Sequence, residues 1–156
     1  MLTPSTKLLN ACSFAFLLVL VSACAGVDES ETMDASIARL MAGAELADEG
    51  ITVQHVLIAY KGAPRIQGVT RTMDEAKVLA EKVWREALAG ADFKGLMKTH
   101  SDDSGGGEYP MTKTGRAGMV AGFGDVGFRL KVGEIGVAPW HTKASPYGWH
   151  IIKRVK

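Results

Sequence analysis

Two stretches of the chain have the length and apolar content of strands: Val53-Gln-His-Val-Leu-Ile-Ala-Tyr60, and the end of the run Ser145-Pro-Tyr-Gly-Trp-His-Ile-Ile-Lys-Arg-Val155. Successive side chains of a strand point to opposite faces, so His55 shares a face with Val53 and Leu57, and His150 shares one with Ile152. Each strand therefore carries one imidazole among apolar neighbours. The pattern predicts that the two strands are neighbours in one sheet and that the histidines meet at its centre. The alternative is two unrelated histidines, each held by a nearby backbone group.

Between the strands the period changes to that of helices. Thr72-Met-Asp-Glu75 reads as a capping box, in which the threonine hydroxyl accepts from the backbone three residues on and the glutamate reaches back. Ala76, Leu79, Ala80, Val83 and Ala87 then recur on one face, and Gly90 ends the helix. A second, shorter helix is predicted from Asp92, burying Phe93, Leu96 and Met97 and ending near His100. Lys61 to Gly68 is a loop by its glycine and proline content. Ser101-Asp-Asp-Ser-Gly-Gly-Gly107 cannot continue a helix, because each glycine costs about 1 kcal/mol relative to alanine.

The first 23 residues read as a signal peptide: Lys7, then an apolar run from Leu8 to Val21, then small residues up to Cys24. The run falls short of the about 20 apolar residues of a comfortable membrane span. Val21-Ser-Ala-Cys24 resembles the bacterial lipobox, which implies cleavage before Cys24 and lipidation of its thiol. Several acyl chains would hold the protein on a membrane more firmly than one. Residues 24–50 follow as the lipidated cysteine and a tether, in which Ile37, Leu40, Met41 and Ala44 lie at the spacing of a short helix resting on the domain. Residues 51–156 form one domain. The expected location is the bacterial cell envelope, and Ala25 after the cysteine favours the outer membrane, facing the periplasm.

Composition narrows the function. With 156 residues, 47% of them hydrophobic, there is material for one core. The chain has a net charge of +1 and lacks a Lys/Arg run, so it has no electrostatic footprint for nucleic acid. Cys12 leaves with the leader, so an internal disulfide is impossible. The glycine run lacks the Gly-Lys-Ser/Thr of a phosphate loop, and Asp102 with Asp103 lacks the ligand spacing of a calcium loop. No cofactor and no metal are expected.

The order of these features resembles the parvulin family of peptidyl-prolyl cis-trans isomerases. It consists of a strand with a central histidine, two helices, Ser-Asp-Asp before a glycine turn, Met119 and Phe123, Leu-Lys-Val-Gly-Glu134, and a final Gly-Trp-His-Ile-Ile-Lys153 strand. The resemblance covers Val53 to Lys156. It implies an α+β fold, a small antiparallel four-stranded sheet surrounded by about four short helices. It also implies that His55 and His150 are the paired histidines, that Asp103 is the acidic residue beside them, and that Ser145 is the hydroxyl supporting the pair. Met119 and Phe123 become the proline pocket and Tyr109 its rim. Two departures, Gly107-Glu-Tyr-Pro-Met-Thr112 and the glycines Gly124 and Gly127 around Phe123, predict a looser pocket.

The activity so implied is rotation about X-Pro bonds of envelope proteins by a monomer acting on proline-containing polypeptides. A parvulin-like binding module with little turnover is the alternative. Lys61, Arg65 and Arg71 raise a further expectation, a preference for acidic or phosphorylated residues before proline.

Overall fold

The computed structural model describes residues 30–116 and 118–156; the leader and Cys24 lie outside the described residues. In chain order the elements are α1 (Met33–Ala42), β1 (Gly50–Ala59), α2 (Met73–Leu88), α3 (Phe93–His100), β2 (Glu108–Thr112), α4 (Ala121–Gly127), β3 (Ile135–Ala138) and β4 (Gly148–Arg154). The strands form an antiparallel sheet in the order β2-β1-β4-β3. The two histidine strands are thus adjacent and central, and the α+β architecture of four strands with four helices is the expected one.

The helical signals act as the sequence predicts. Both halves of the capping box are present at Thr72 and Glu75, at 2.7 and 3.2 Å. The other end of α2 closes with a pair of bonds, Gly90 N–H to Ala87 O and Ala91 N–H to Glu86 O, both 3.1 Å, with Gly90 left-handed at φ 91°. Asp92 caps α3 by accepting from the Lys94 and Gly95 amides. His100 ends that helix, 4.0 Å from Glu86.

The sheet has two unlike faces. On one, Val56 and Ile58 of β1, Val137 of β3, and Trp149 and Ile151 of β4 pack against α2 and α3 through Ala80, Val83, Trp84 and Phe93. Each large apolar side chain removed from water there is worth about 1.5–3 kcal/mol. On the other face Ile51, Val53, Ala138 and Ile152 meet Phe123 and Val126 of α4, together with Phe128 and Leu130. α1 packs beside β3 and joins the faces, with Met33 buried in the first cluster and Leu40 against the second. The stretch from α1 to β1 is also docked: Leu46 N–H donates to Phe128 O at 2.8 Å, and Asp48 pairs with the buried Arg154 at 3.0 Å. The segment between Cys24 and β1 therefore lies on the domain from Met33 onward, through α1 and through Leu46 and Asp48 after it.

β2 explains one departure of the sequence. Thr52 directs its backbone groups toward the C-terminal residues, with its N–H donating to Lys156 O, so its odd-numbered neighbours in β1 face β2. Tyr109 pairs with Val53 and Met111 with Ile51, leaving Pro110 at the position whose amide would point outward. Proline costs no ladder bond there, and it removes a donor from an exposed sheet edge.

Candidate active site

Directly opposite residues of an antiparallel pair share a face, and here His55 stands opposite Ile152 and His150 opposite Leu57. The histidines are therefore diagonal neighbours on the α4 side of the sheet. Their Nδ1 atoms are 3.3 Å apart and their rings stack at 24°, both residues being buried. Phe123 stands edge-on to both rings, with centroids at 4.9 and 5.7 Å.

β2 pairs with β1 only as far as Gln54, and the turn after α3 takes over from there. Leu57 N–H donates to Ser101 Oγ at 3.1 Å, Asp102 N–H donates to Leu57 O at 2.8 Å, and Ala59 N–H donates to Asp102 Oδ2 at 2.8 Å. Arg71 completes this edge by donating to Asp102 and to Ala59 O. The turn so anchored delivers Asp103 to His55, with Oδ2 2.8 Å from Nε2. The same carboxylate accepts from the Tyr109 hydroxyl at 2.8 Å and from the Gly105 amide at 3.0 Å.

These contacts fix the charges. The His55 ring hydrogen-bonded to Asp103 holds its carboxyl well below the usual carboxylate range, against the opposing effect of burial. Burial, aided by the contact with Asp103, pushes the Tyr109 hydroxyl up to about 12. Burial, with His55 alongside, brings His150 down to about 3, so it stays neutral. An ionised carboxylate only accepts, so His55 Nε2 carries the proton facing Asp103. In the neutral form of the pair, His55 Nδ1 accepts from His150 Nδ1–H and leaves a lone pair on His150 Nε2. That atom is buried without a hydrogen-bond partner. A bare acceptor costs less there than an orphaned donor.

Above this network lies a cleft of about 300 Å³, bounded by His55, Leu57, Asp103, Tyr109, Met119 and Phe123, with Arg65, Ile66 and Tyr147 at its rim. The structure thus brings together six of the eight residues singled out; of the other two, Cys24 lies outside the described residues, and Ser145 is placed otherwise. Ser145 is buried, but its hydroxyl donates to Gly148 O at 3.1 Å rather than to either imidazole, tying down the turn that feeds β4. Of the basic loop residues, Arg71 is committed to Asp102, while Arg65 reaches the rim with a left-handed backbone, φ 61°. Ser101, Asp102 and Tyr147 are the residues sequence reasoning missed. The doubled Asp102-Asp103 was the available signal for the first two, one carboxylate holding the strand edge and the other facing the cleft.

The glycines of α4 tighten the site. A side chain at Gly127 would come within 3.1 Å of Ile51 Cδ1 and Met111 Cε, and one at Gly124 within 3.1 Å of Arg116 Cδ. Their absence lets the helix sit close on the sheet with Phe123 beneath the cleft, a denser arrangement than the looser pocket those residues predict. Among the described residues no group of three or more His, Cys, Asp or Glu is placed to hold a metal ion.

A sheet with paired central histidines, a carboxylate beside them and an apolar cleft above defines a class of protein. The family model of the PPIC-type PPIASE domain matches residues 35–156, and the chain belongs to that family. Among individual relatives, it is 31% identical over 110 residues to the foldase protein PrsA 1 of Lactobacillus johnsonii, covering 68% of this chain and 30% of the relative. It is 30% identical over 115 residues to the chaperone SurA of Pseudomonas fluorescens, covering 71% of this chain and 24% of the relative. The chain thus spans less than a third of the length of these curated relatives. Among solved structures it is similar to the peptidyl-prolyl isomerase ESS1 from Candida albicans, at 25% identity and a TM-score of 0.58, over 79% of this chain and 74% of that one.

Proposed function

We propose that this protein is a peptidyl-prolyl cis-trans isomerase that turns X-Pro bonds of other polypeptides without covalent chemistry. The observation that carries the reading is the ionised Asp103, hydrogen-bonded to His55 at 2.8 Å, on the wall of a cleft lined by Met119 and Phe123.

The reaction explains why this arrangement suffices. Rotation about the C–N bond must give up amide resonance, a barrier of about 18–20 kcal/mol. The planar amide places negative charge on its carbonyl oxygen, and the twisted transition state carries less of it. Met119 and Phe123 hold the proline ring, while the Asp103 carboxylate disfavours a negative carbonyl oxygen nearby. The twisted state therefore gains relative to both planar ones. A thousandfold acceleration needs only about 4 kcal/mol of such discrimination. His55 and His150 act by holding Asp103 and the cleft floor in one hydrogen-bonding arrangement, not as a general base. Ser145 serves the same end from further away, through the turn that positions β4. Tyr109 forms the rim and keeps its proton to donate to Asp103.

The substrates under this reading are proline-containing segments of envelope proteins, and the protein works as a monomer. Cys24 is the site of lipidation, and the lipid holds the domain at the cell envelope, on the outer membrane facing the periplasm. The leader pattern and the foldase and chaperone names of the relatives support this placement. Among the described residues no helix is long and apolar enough to cross a membrane.

The test is a protease-coupled cis-trans assay on a proline peptide, comparing the wild type with Phe123→Ala. The wild type should accelerate isomerisation, and the variant should lose most of that acceleration. Equal, near-background rates for both would overturn the isomerase reading in favour of a binding module.

A further inference from the structure

α4, which carries Phe123, is a weak helix by its own chemistry. It has seven residues, three of them glycine, no side-chain cap at Val120 and no basic residue in its last turn. Helices this short are not stable alone. What surrounds it is an ionic clasp. Arg116 precedes the helix and Arg129 follows it, and Glu45, from the segment ahead of β1, reaches both, at 2.6 Å to Arg116 Nη2 and 3.3 Å to Arg129 Nη1.

Each arginine also grips the helix directly. Arg116 donates to the Asp125 carboxylate at 3.1 Å, and Arg129 donates to Asp125 O at 2.6 Å and to Gly43 O at 3.0 Å. The Arg116 stem lies in the space left by Gly124, and its guanidinium sits 4.5 Å from the centre of the Phe128 ring. The link to the cleft is short: Met119 N–H donates to Arg116 O at 3.0 Å, so the residue that clasps α4 also accepts the hydrogen bond that holds Met119. The groups are only about one quarter exposed, with Arg116 and Glu45 at 26% and 27%, so solvent screens them less than a surface pair.

We propose that Glu45 and Arg116 are positioning residues of the cleft, fixing Met119 and Phe123 by clasping a helix that could not hold its place unaided. This rests on the isomerase reading for its kinetic consequence, but not for its structural one. It also gives the segment before β1 a role in substrate binding, since the only carboxylate joining both arginines comes from there among the described residues.

The test uses the full chain and two readouts. In Glu45→Ala, amide hydrogen exchange of residues 119–128 should rise by about tenfold while that of α2 stays as in the wild type. In turnover, kcat/KM should fall by about fivefold, mostly through KM, and the same substitution should cost nothing more in a Phe123→Ala background. Arg116→Lys, which keeps the charge but not the planar fork, should fall between wild type and Arg116→Ala. A general loss of stability would raise exchange in α2 and α4 together, and that result would overturn the proposal. So would wild-type exchange in α4 of Glu45→Ala. If the wild type shows no turnover, the isomerase reading fails, and the exchange pattern still decides the clasp.

Discussion

The two faces of the sheet share the same strands yet are built by opposite rules. Behind β1 and β4, the sixteen-residue α2 and the shorter α3, each with a side-chain N-cap, cover Val56, Ile58, Trp149 and Ile151, and the interior is apolar. In front, the residues one position along the same strands include His55 and His150, covered by a seven-residue helix and bordered by a glycine turn. The difference teaches where this molecule keeps its stability and where its chemistry. Alternation along two strands lets one face hold the fold while the other carries polar groups that an apolar core would exclude.

The largest expected effect breaks the first face alone. Ile151 is fully buried against α2 and α3, so Ile151→Ala should cost about 2–5 kcal/mol of stability in urea unfolding. Turnover per folded molecule should stay at the wild-type value, and a parallel loss of turnover would show that the faces are not separable. The converse change, Asp103→Asn, keeps the shape and removes the charge. It should lower kcat/KM by about thirtyfold, or about 2 kcal/mol, and also lower the urea midpoint of unfolding at pH 7, because the ionised carboxylate held by His55 stabilises the fold.

Acid sharpens the same contrast. Burial brings His150 down from 6.5 to about 3, so below about pH 6 the unfolded chain takes up a proton that the folded chain refuses. Stability should therefore fall as pH drops through that window, by at most about 1.4 kcal/mol per pH unit, and His150→Asn should flatten the dependence. Asp103 adds its own loss only below the usual carboxylate range, because its folded form stays ionised further down. The smallest effect belongs to the rim. Tyr109→Phe removes one hydrogen bond to Asp103, worth about 1 kcal/mol, and should reduce kcat/KM by about fivefold. Wild-type activity should persist above the about pH 10 at which a free tyrosine ionises.

Legibility followed the same division. α2 and α3 were readable because their caps and apolar spacing are local signals, and the two central strands because each is long enough to show alternation. β2 and β3 were not, since one is five residues with a proline and the other four residues around Gly136. Their pairing is decided by β1 and β4, not by their own composition. α4 has no amphipathic period to read, and close contacts with the sheet and Arg116 hold it. In the site, the order of His55, Asp103, Met119, Phe123 and His150 along the chain was enough to anticipate one cluster. The partner of Ser145 was not, because Gly148 O and the His150 imidazole both lie within a few residues of it and the sequence does not choose between them. The ionic docking of the segment after α1 escaped for a similar reason: Glu45 and Asp48 look like solvated acids until their arginine partners arrive from further along the chain.

The most direct test of the central claim is NMR exchange spectroscopy on an Ala-Pro peptide with a catalytic amount of the protein. The account predicts cis-trans exchange cross-peaks with the wild type, and their loss with Asp103→Asn while the peptide still binds. Peptide resonances that shift on binding without any faster exchange would contradict it.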